Sequence, residues 1–357
     1  MLATAKPTDL SIGTISDDQL ARVMHGFGVQ TFLVLPFYAL NNTILDLRRR
    51  TETARKVLIE TGRGVLFVKE LPWYCSTEEH ARFQTALQEQ LRARQVPMPA
   101  LVRASSGERF FSDGMSGGIF VAHHYTHGRS WTGSLGQAQA AGTALGQLHH
   151  AASQVSLPGF PGMEGAFGTA HKIVSLLRHS WTRDAGDEVA ALADLMLTTI
   201  DRCRTGAYTL GYGTAVAPVH GDYNPFNLLY APESDAVAGV LDFDNACLDD
   251  PAHDIAEMIV RFAWMKYRGL SSAYGPVPEQ LSEEALAAVL GGYLAANEHT
   301  ARRCLPLLPQ VVTAVALELA AIGLLAGYYG VDDLPRLRHN TAALPQLTAD
   351  AIGALTR

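Results

Sequence analysis

The sequence predicts an α+β chain arranged as two lobes. Three observations point there. Short β-patterned runs fill the first third. From Ser134 onward, helical periodicity dominates. One acidic hairpin, within Pro218 to Ala246, interrupts the helical part. We therefore expect a β-rich lobe over residues 1–122, a short crossing at 123–128 and a helical lobe over 129–357. The chain has 357 residues, 48% of them hydrophobic, enough for a large core or two smaller ones.

Ser16-Asp17-Asp18-Gln19 has the form of a capping box and should open the first helix. Val29 to Thr51 reads as two strands joined by a turn at Leu40-Asn41-Asn42. Gly64 to Leu71 is the next strand. Thr77 to Gln95 is helical, with Phe83, Leu87 and Leu91 at i, i+4, i+8, and Pro97 and Pro99 end it. Ala100 to Asp113 and Gly117 to Tyr125 read as further strands. Leu135 to Ala152 opens the helical part. Asn227 to Phe243 forms a hairpin around Pro232-Glu233-Ser234-Asp235. In Asp254 to Gly269, residues Ile255, Met258, Ile259, Phe262 and Met265 make a core stripe, with Val260, Trp264 and Tyr267 on a second apolar face.

Composition excludes several classes. Net charge is −7, and the densest basic run, Arg48-Arg49-Arg50, reads as a solvated turn, so no nucleic-acid partner is expected. Cys75, Cys203, Cys247 and Cys304 include no CxxC pair, which argues against zinc and fits reduced thiols in the cytoplasm. The N-terminus lacks the pattern of a signal peptide. Val311 to Gly330 is long and apolar, but Glu318 in its middle makes it a buried core helix, with no membrane partner. Gly26-Phe27-Gly28 has no strand before it, and the chain has no phosphate loop of the Gly-x-x-x-x-Gly-Lys-Ser/Thr type.

The acidic hairpin carries the chemistry. Asp222 follows His220-Gly221, where glycine permits a tight turn. Asn227 precedes the first hairpin strand and Asp242 ends the second, so the pairing should bring them to one point, with Asp222 on the loop nearby. Two oxygen ligands beside a free carboxylate suit Mg²⁺ with a polyphosphate, and a base that accepts a hydroxyl proton. Lys69, at a strand end in a lysine-poor chain, is the candidate for holding the phosphates.

His220-Gly221-Asp222-x-x-x-x-Asn227, with apolar-Asp242-Phe243-Asp244 after it, resembles the aminoglycoside phosphotransferase and choline kinase-like family. So do Asp249 to Ala256, Leu145 to Ala151 and the lysine strand Gly64 to Glu70, all in the family's order. The resemblance implies a bilobal protein-kinase-like fold, with a small β-rich N-lobe and a larger, mostly helical C-lobe. It implies ATP or GTP with Mg²⁺, Asp222 as catalytic base, Asn227 and Asp242 as metal ligands, and Lys69 on phosphate. It places His123 to Tyr125 at the hinge, with His123 and Tyr125 against the nucleotide, and Asn41 and Asn42 in the loop over the phosphates. A helix glutamate usually pairs with the family's lysine. Here the expected position holds Gln84, with Glu78 and Glu79 as substitutes, and the phosphate loop lacks the usual glycines.

His220 and Asp254 read as structural, and His123, His124 and His127 as partly exposed histidines rather than a metal site. Tyr223, Asp244 and Trp264 are candidates for contact with the acceptor; for Asp244 a supporting role comes first, with contact to a second metal or a substrate as its alternative, and for Trp264 packing against a neighbouring helix comes first. The expected activity is ATP-dependent O-phosphorylation of a small molecule. The first expectation is inactivation of a sugar-containing antibiotic of aminoglycoside or nucleoside type. The alternative is a metabolic kinase for a homoserine-, choline- or sugar-like acceptor. A nucleotide-binding regulator without turnover is disfavoured by the intact Asp222, Asn227 and Asp242 set. Asp249, Asp250, Glu257, Glu318, Asp332 and Asp333 are the acids available to a cationic acceptor.

Overall fold

The computed structural model describes residues 15–35, 55–157, 164–181, 185–264, 267–268, 271–272 and 281–355. The chain divides into two compact units, residues 1–85 with 100–125, and residues 86–99 with 126–357.

The first unit opens with α1 (Asp17–Gly26). Ser16 caps it, its hydroxyl accepting the Gln19 N–H at 3.3 Å. The reciprocal half of the capping box is diverted, because the Gln19 side chain bridges Ser116 and Arg55. A five-stranded antiparallel sheet follows, in the order β1-β2-β3-β5-β4. Its strands are β1 (Phe32–Leu35), β2 (Lys56–Thr61), β3 (Gly64–Glu70), β4 (Phe111–Ser112) and β5 (Ile119–His124), with helix α2 (Glu78–Ala93) between β3 and β4 in sequence. The sequence reading passed over β2, although Thr61-Gly62-Arg63-Gly64 is a two-residue hairpin signal between alternating apolar residues. Leu20, Val23 and Met24 of α1 pack on Ile59, Leu66, Val68 and Phe120 of the sheet. The second expected strand of the Val29 to Thr51 segment lies outside the described residues.

Residues 86–99, placed with the N-terminal lobe by the sequence reading, group with the second unit for local reasons. Gln90 and Arg94 donate to the carbonyls of Ser156 and Gln154, and the Pro97 carbonyl accepts the Val240 N–H at 2.8 Å. The rest of this unit comprises α3 (Leu135–Ala152), α4 (Ala166–Ser180), α5 (Gly186–Thr209), β6 (Ala217–Val219), β7 (Leu228–Tyr230), β8 (Val237–Val240), β9 (Cys247–Asp249) and α6 (Ala252–Met258). A π-helical segment, Ile259–Trp264, extends α6, and the short strands β10 (Tyr267–Arg268) and β11 (Ser271–Ser272) follow. Then come α7 (Glu283–Ala296), α8 (Glu298–Cys304), α9 (Leu308–Leu325) and α10 (Leu334–Leu355). Strands β7 and β8 pair as the expected hairpin, while β6 pairs with β9.

Among the described residues, one helix, α9, is long and apolar enough to cross a membrane. It is largely buried, against α4, α5, α6 and α10, and this explains its apolar composition.

Candidate active site

Every element of the acidic stretch lies in the second unit. Strand β6 ends at Val219, and His220-Gly221-Asp222 turns away from it. Gly221 adopts φ +76°, and a Cβ there would lie 2.1 Å from the Asn245 carbonyl oxygen. Both facts demand glycine. Asp254, buried in α6, straps the turn. Its Oδ2 accepts the His220 N–H at 2.7 Å and its Oδ1 the Gly221 N–H at 2.8 Å. His149 of α3 adds a contact from Nε2 to Oδ2 at 2.9 Å, and its Nδ1 lies 2.7 Å from the Tyr293 hydroxyl. Burial pushes the Asp254 carboxyl up, but the hydrogen bond and charge of His149 outweigh it and hold the group down at about 2.

His220 Nε2 lies 2.8 Å from the Leu241 carbonyl oxygen, and Nδ1 accepts the Asp222 N–H at 3.3 Å. An imidazole donating at one nitrogen and accepting at the other is neutral and locked in one tautomer. His220 is a strut of the loop.

The Asp222 side chain, 29% exposed, is surrounded by donors. Asn224 Nδ2 reaches Oδ1 at 2.8 Å, Asn227 Nδ2 reaches Oδ2 at 3.0 Å, and an Arg261 Nη lies 3.4 Å from Oδ1. Both amides also donate to the Asp222 carbonyl. This geometry holds an accessible carboxylate in one orientation, as a general base requires. With the Asn227 nitrogen committed to Asp222, its amide oxygen is the atom left for a cation.

The hairpin sets Asn227 and Asp242 at the same end of the β7–β8 pair. Leu228 stands opposite Val240, and the Leu241 N–H donates to the Asn227 carbonyl at 2.8 Å. Asp242 follows directly, with φ +66° and ψ 64°, a left-handed conformation that is costly for a residue with a Cβ. One neutral and one anionic oxygen donor suit a hard cation. Two donors would leave most of a divalent cation's coordination to other oxygens. Among the described residues, no group of three His, Cys, Asp or Glu side chains converges to hold a metal without such help.

In the first unit, Lys69 lies on β3, 6% exposed, opposite Lys56 of β2 and Val121 of β5. Gln84, at the expected partner position, is buried, and its amide nitrogen makes no hydrogen bond among the described residues. Glu78 accepts the Ser112 hydroxyl at 2.8 Å and is thereby engaged elsewhere. His123 lies within β5, opposite Phe67. The N–H groups of His124 and Tyr125 are committed to the carbonyls of Ala100 and Val65, so the Tyr125 N–H is not available to a base. Asn41 and Asn42 fall outside the described residues.

The three candidate acceptor contacts are buried. Tyr223, Trp264 and Asp244 are 0%, 1% and 5% exposed. The Tyr223 hydroxyl donates to the Ala141 carbonyl of α3 at 2.8 Å, and its ring packs against His220 and Phe262. These side chains fill the core under the loop and present no surface to an acceptor. Val260 is also buried in the core, and the side chain of Tyr267 lies outside the described residues.

The structure adds residues that the sequence reading did not single out. Asn224 and Arg261 hold Asp222, and Arg261 Nε also donates to Glu257 at 3.1 Å. The available signal was a lone arginine in the apolar run Met258 to Trp264, four residues after Glu257. Arg261 rides on the π-helical segment, a local widening that often re-aims side chains at functional sites. Two carboxyls lie beyond it. Burial, opposed by Arg261, raises Glu257. Burial and the neighbouring Glu257 push Glu318 of α9 up to about 8.

Comparison with curated protein sequences returns no match. Among solved structures, a microcompartment-associated aminopropanol kinase aligns with TM-score 0.63 at 16% identity, covering 95% of this chain and 98% of its own. An aminoglycoside phosphotransferase from Alicyclobacillus acidocaldarius aligns with TM-score 0.55 at 12% identity, covering 92% and 98%. An amicoumacin kinase bound to AMP-PNP and Ca²⁺ aligns with TM-score 0.56 at 15% identity, covering 84% and 86%. These likenesses establish the kinase-like α+β fold. The sequence profile of the phosphotransferase enzyme family matches residues 48–308, which covers the lysine strand, the turn at Gly221, the Asp222 carboxylate and the Asn227–Asp242 hairpin together; the chain belongs to that family.

Proposed function

We propose that this phosphotransferase transfers the γ-phosphoryl group of ATP to a hydroxyl of a small molecule, with Asp222 as base. The observation that carries the reading is the Asp222 carboxylate, accessible yet fixed by Asn224, Asn227 and Arg261, at the end of the hairpin where Asp242 follows the Leu241 that bonds to Asn227. Asp222 would orient the incoming hydroxyl and take its proton as the oxygen–phosphorus bond forms. Asn227 and Asp242 would hold Mg²⁺, which when bound neutralises phosphate charge. Lys69 is proposed as the phosphate-binding lysine, and His123 and Tyr125 as neighbours of the nucleotide.

Asp222→Ala is expected to lower phosphoryl transfer by roughly 10²- to 10⁴-fold while leaving nucleotide binding near that of the parent. Undiminished ADP release in the variant would remove Asp222 from the mechanism.

For the acceptor, our first reading is a sugar-containing antibiotic. The second is a small metabolic alcohol, favoured by the similarity in fold to the aminopropanol kinase. Resistance conferred on a sensitive host across antibiotic classes, set against turnover of pooled metabolites with Mg²⁺ and ATP, separates the two.

A further inference from the structure

From Thr205 to Val260 the chain carries nine acids and no lysine or arginine, and Arg261 ends that run. The loop that bears Asp222 therefore brings no such cation of its own. Asn224 and Asn227 orient the carboxylate as neutral amides. The positive charge comes from Arg261, 39 residues on, with an Nη 3.4 Å from Asp222 Oδ1.

The position is a demanding one for an arginine. The other residues of the π-helical segment, Ile259, Val260, Phe262, Ala263 and Trp264, are all buried. A guanidinium among them is costly unless carboxylates meet it. Glu257, four residues earlier, accepts from Nε at 3.1 Å. The Glu257 side chain is 4% exposed, that of Arg261 13% and that of Asp222 29%. The three side chains thus run from a buried carboxylate, through the guanidinium, to the accessible base. An apolar pair at positions 257 and 261 would fill the same core without burying charge. Stability alone does not call for the pair, and a counter-ion for Glu257 has no need to reach Asp222. With Nε held by Glu257, the planar guanidinium has its direction fixed, and one Nη is aimed at the base.

We propose, resting on the phosphotransferase reading of Asp222, that Arg261 is a positioning residue for this base and that Glu257 aims it. Arg261 acts through Asp222. It keeps the carboxylate in one orientation when the phosphates bring further negative charge to the site, and orientation of the base sets the rate of transfer. The cation that steadies the base is therefore supplied from outside the loop, by the widened end of α6.

ADP release is measured with Mg²⁺ and ATP, using the fastest acceptor among water, homoserine, choline, 1-amino-2-propanol and kanamycin. Arg261→Met should lower kcat roughly 10- to 100-fold with KM for ATP unchanged. Arg261→Lys keeps the charge but loses the planar fork, and should recover only part of the rate. Glu257→Leu should lower kcat about as much as Arg261→Met, whereas Glu257→Gln keeps an oxygen for Nε and should lose much less. Glu257→Leu with Arg261→Met removes both buried partners, so no unpaired charge is left to unfold the core, and its kcat should match that of Arg261→Met. The Asp222→Ala background separates positioning from a structural role. A residue that acts through Asp222 has nothing to act on there, so Arg261→Met should change the residual single-turnover rate by no more than about twofold. The same loss in that background as in the parent overturns the proposal, and so does parental kcat in Arg261→Met or Arg261→Lys. An undiminished Asp222→Ala, or a parent that turns over no probe, overturns the phosphotransferase reading and the proposal with it. An inactive Asp222→Ala beside fully active Arg261 variants overturns the proposal alone.

Discussion

Replacing Glu318 by glutamine should stabilise the protein in a pH-dependent way. The carboxyl moves from an ordinary 4.5 to about 8, chiefly through burial and then through Glu257. At ~1.4 kcal/mol per pH unit, ionising it in the folded state costs on the order of 5 kcal/mol. The sign follows from proton counting. An acid raised on folding keeps its proton in the native state after the unfolded chain has lost it. Stability therefore falls as pH rises from about 4.5 to about 8 and stays low above that. Glu257 is raised too and shares the proton balance, so about half of the full figure, ~2–3 kcal/mol, is expected at pH 9. Below pH 4.5 the parent and Glu318→Gln should unfold alike. For a unit of this size, ~1 kcal/mol moves Tm by about 2 °C, so the variant should melt roughly 5 °C higher at pH 9. Urea unfolding at pH 5, 7 and 9, followed by circular dichroism, measures the difference. A variant less stable than the parent at pH 9, or a gap that does not change with pH, would refute the argument.

Other outcomes follow from the loop. Asp254→Ala strands the N–H groups of His220 and Gly221 and the His149 imidazole, and should cost about 3–5 kcal/mol in urea unfolding. With Asp254 held at about 2, its contribution is complete above the unfolded value of 3.8 and is lost as pH falls through 2, which acid unfolding of parent and variant checks. Gly221→Ala puts a Cβ against the Asn245 carbonyl at a positive φ. It should cost about 2–3 kcal/mol and most of the activity, measured by melting and ADP release together. Asn227→Ala should raise the Mg²⁺ concentration needed for half-maximal turnover about tenfold, and the loss of its two hydrogen bonds to Asp222 should lower the melting temperature by a few degrees.

Much of the site was legible because its residues are close in sequence. Asp222 and Asn227 are five apart and meet within one turn, and the hairpin sets Asp242 directly after Leu241, which bonds to Asn227. The bounds of the α3 helix, Leu135 to Ala152, were read residue for residue. The place of Tyr223 was not legible, because an aromatic residue next to catalytic residues looks the same in sequence whether it lines a pocket or fills the core. The Tyr223–Ala141 hydrogen bond, which decides the matter, joins positions 82 apart. Arg261 was passed over because its partner Asp222 lies 39 residues away.

The sequence by itself determined the chemistry: a glycine-permitted turn, an acid, an amide and a second acid at hairpin spacing, and a strand lysine. Local backbone geometry suffices to bring the loop residues together. Only the tertiary structure decided which acids were spare. Asp249 and Asp254 are engaged by groups 83 and 105 residues away, while Glu318 Oε2 has no hydrogen-bond partner among the described residues. Charge is written in the sequence, but whether a charge is compensated depends on what packs beside it, and only the folded chain brings those neighbours together.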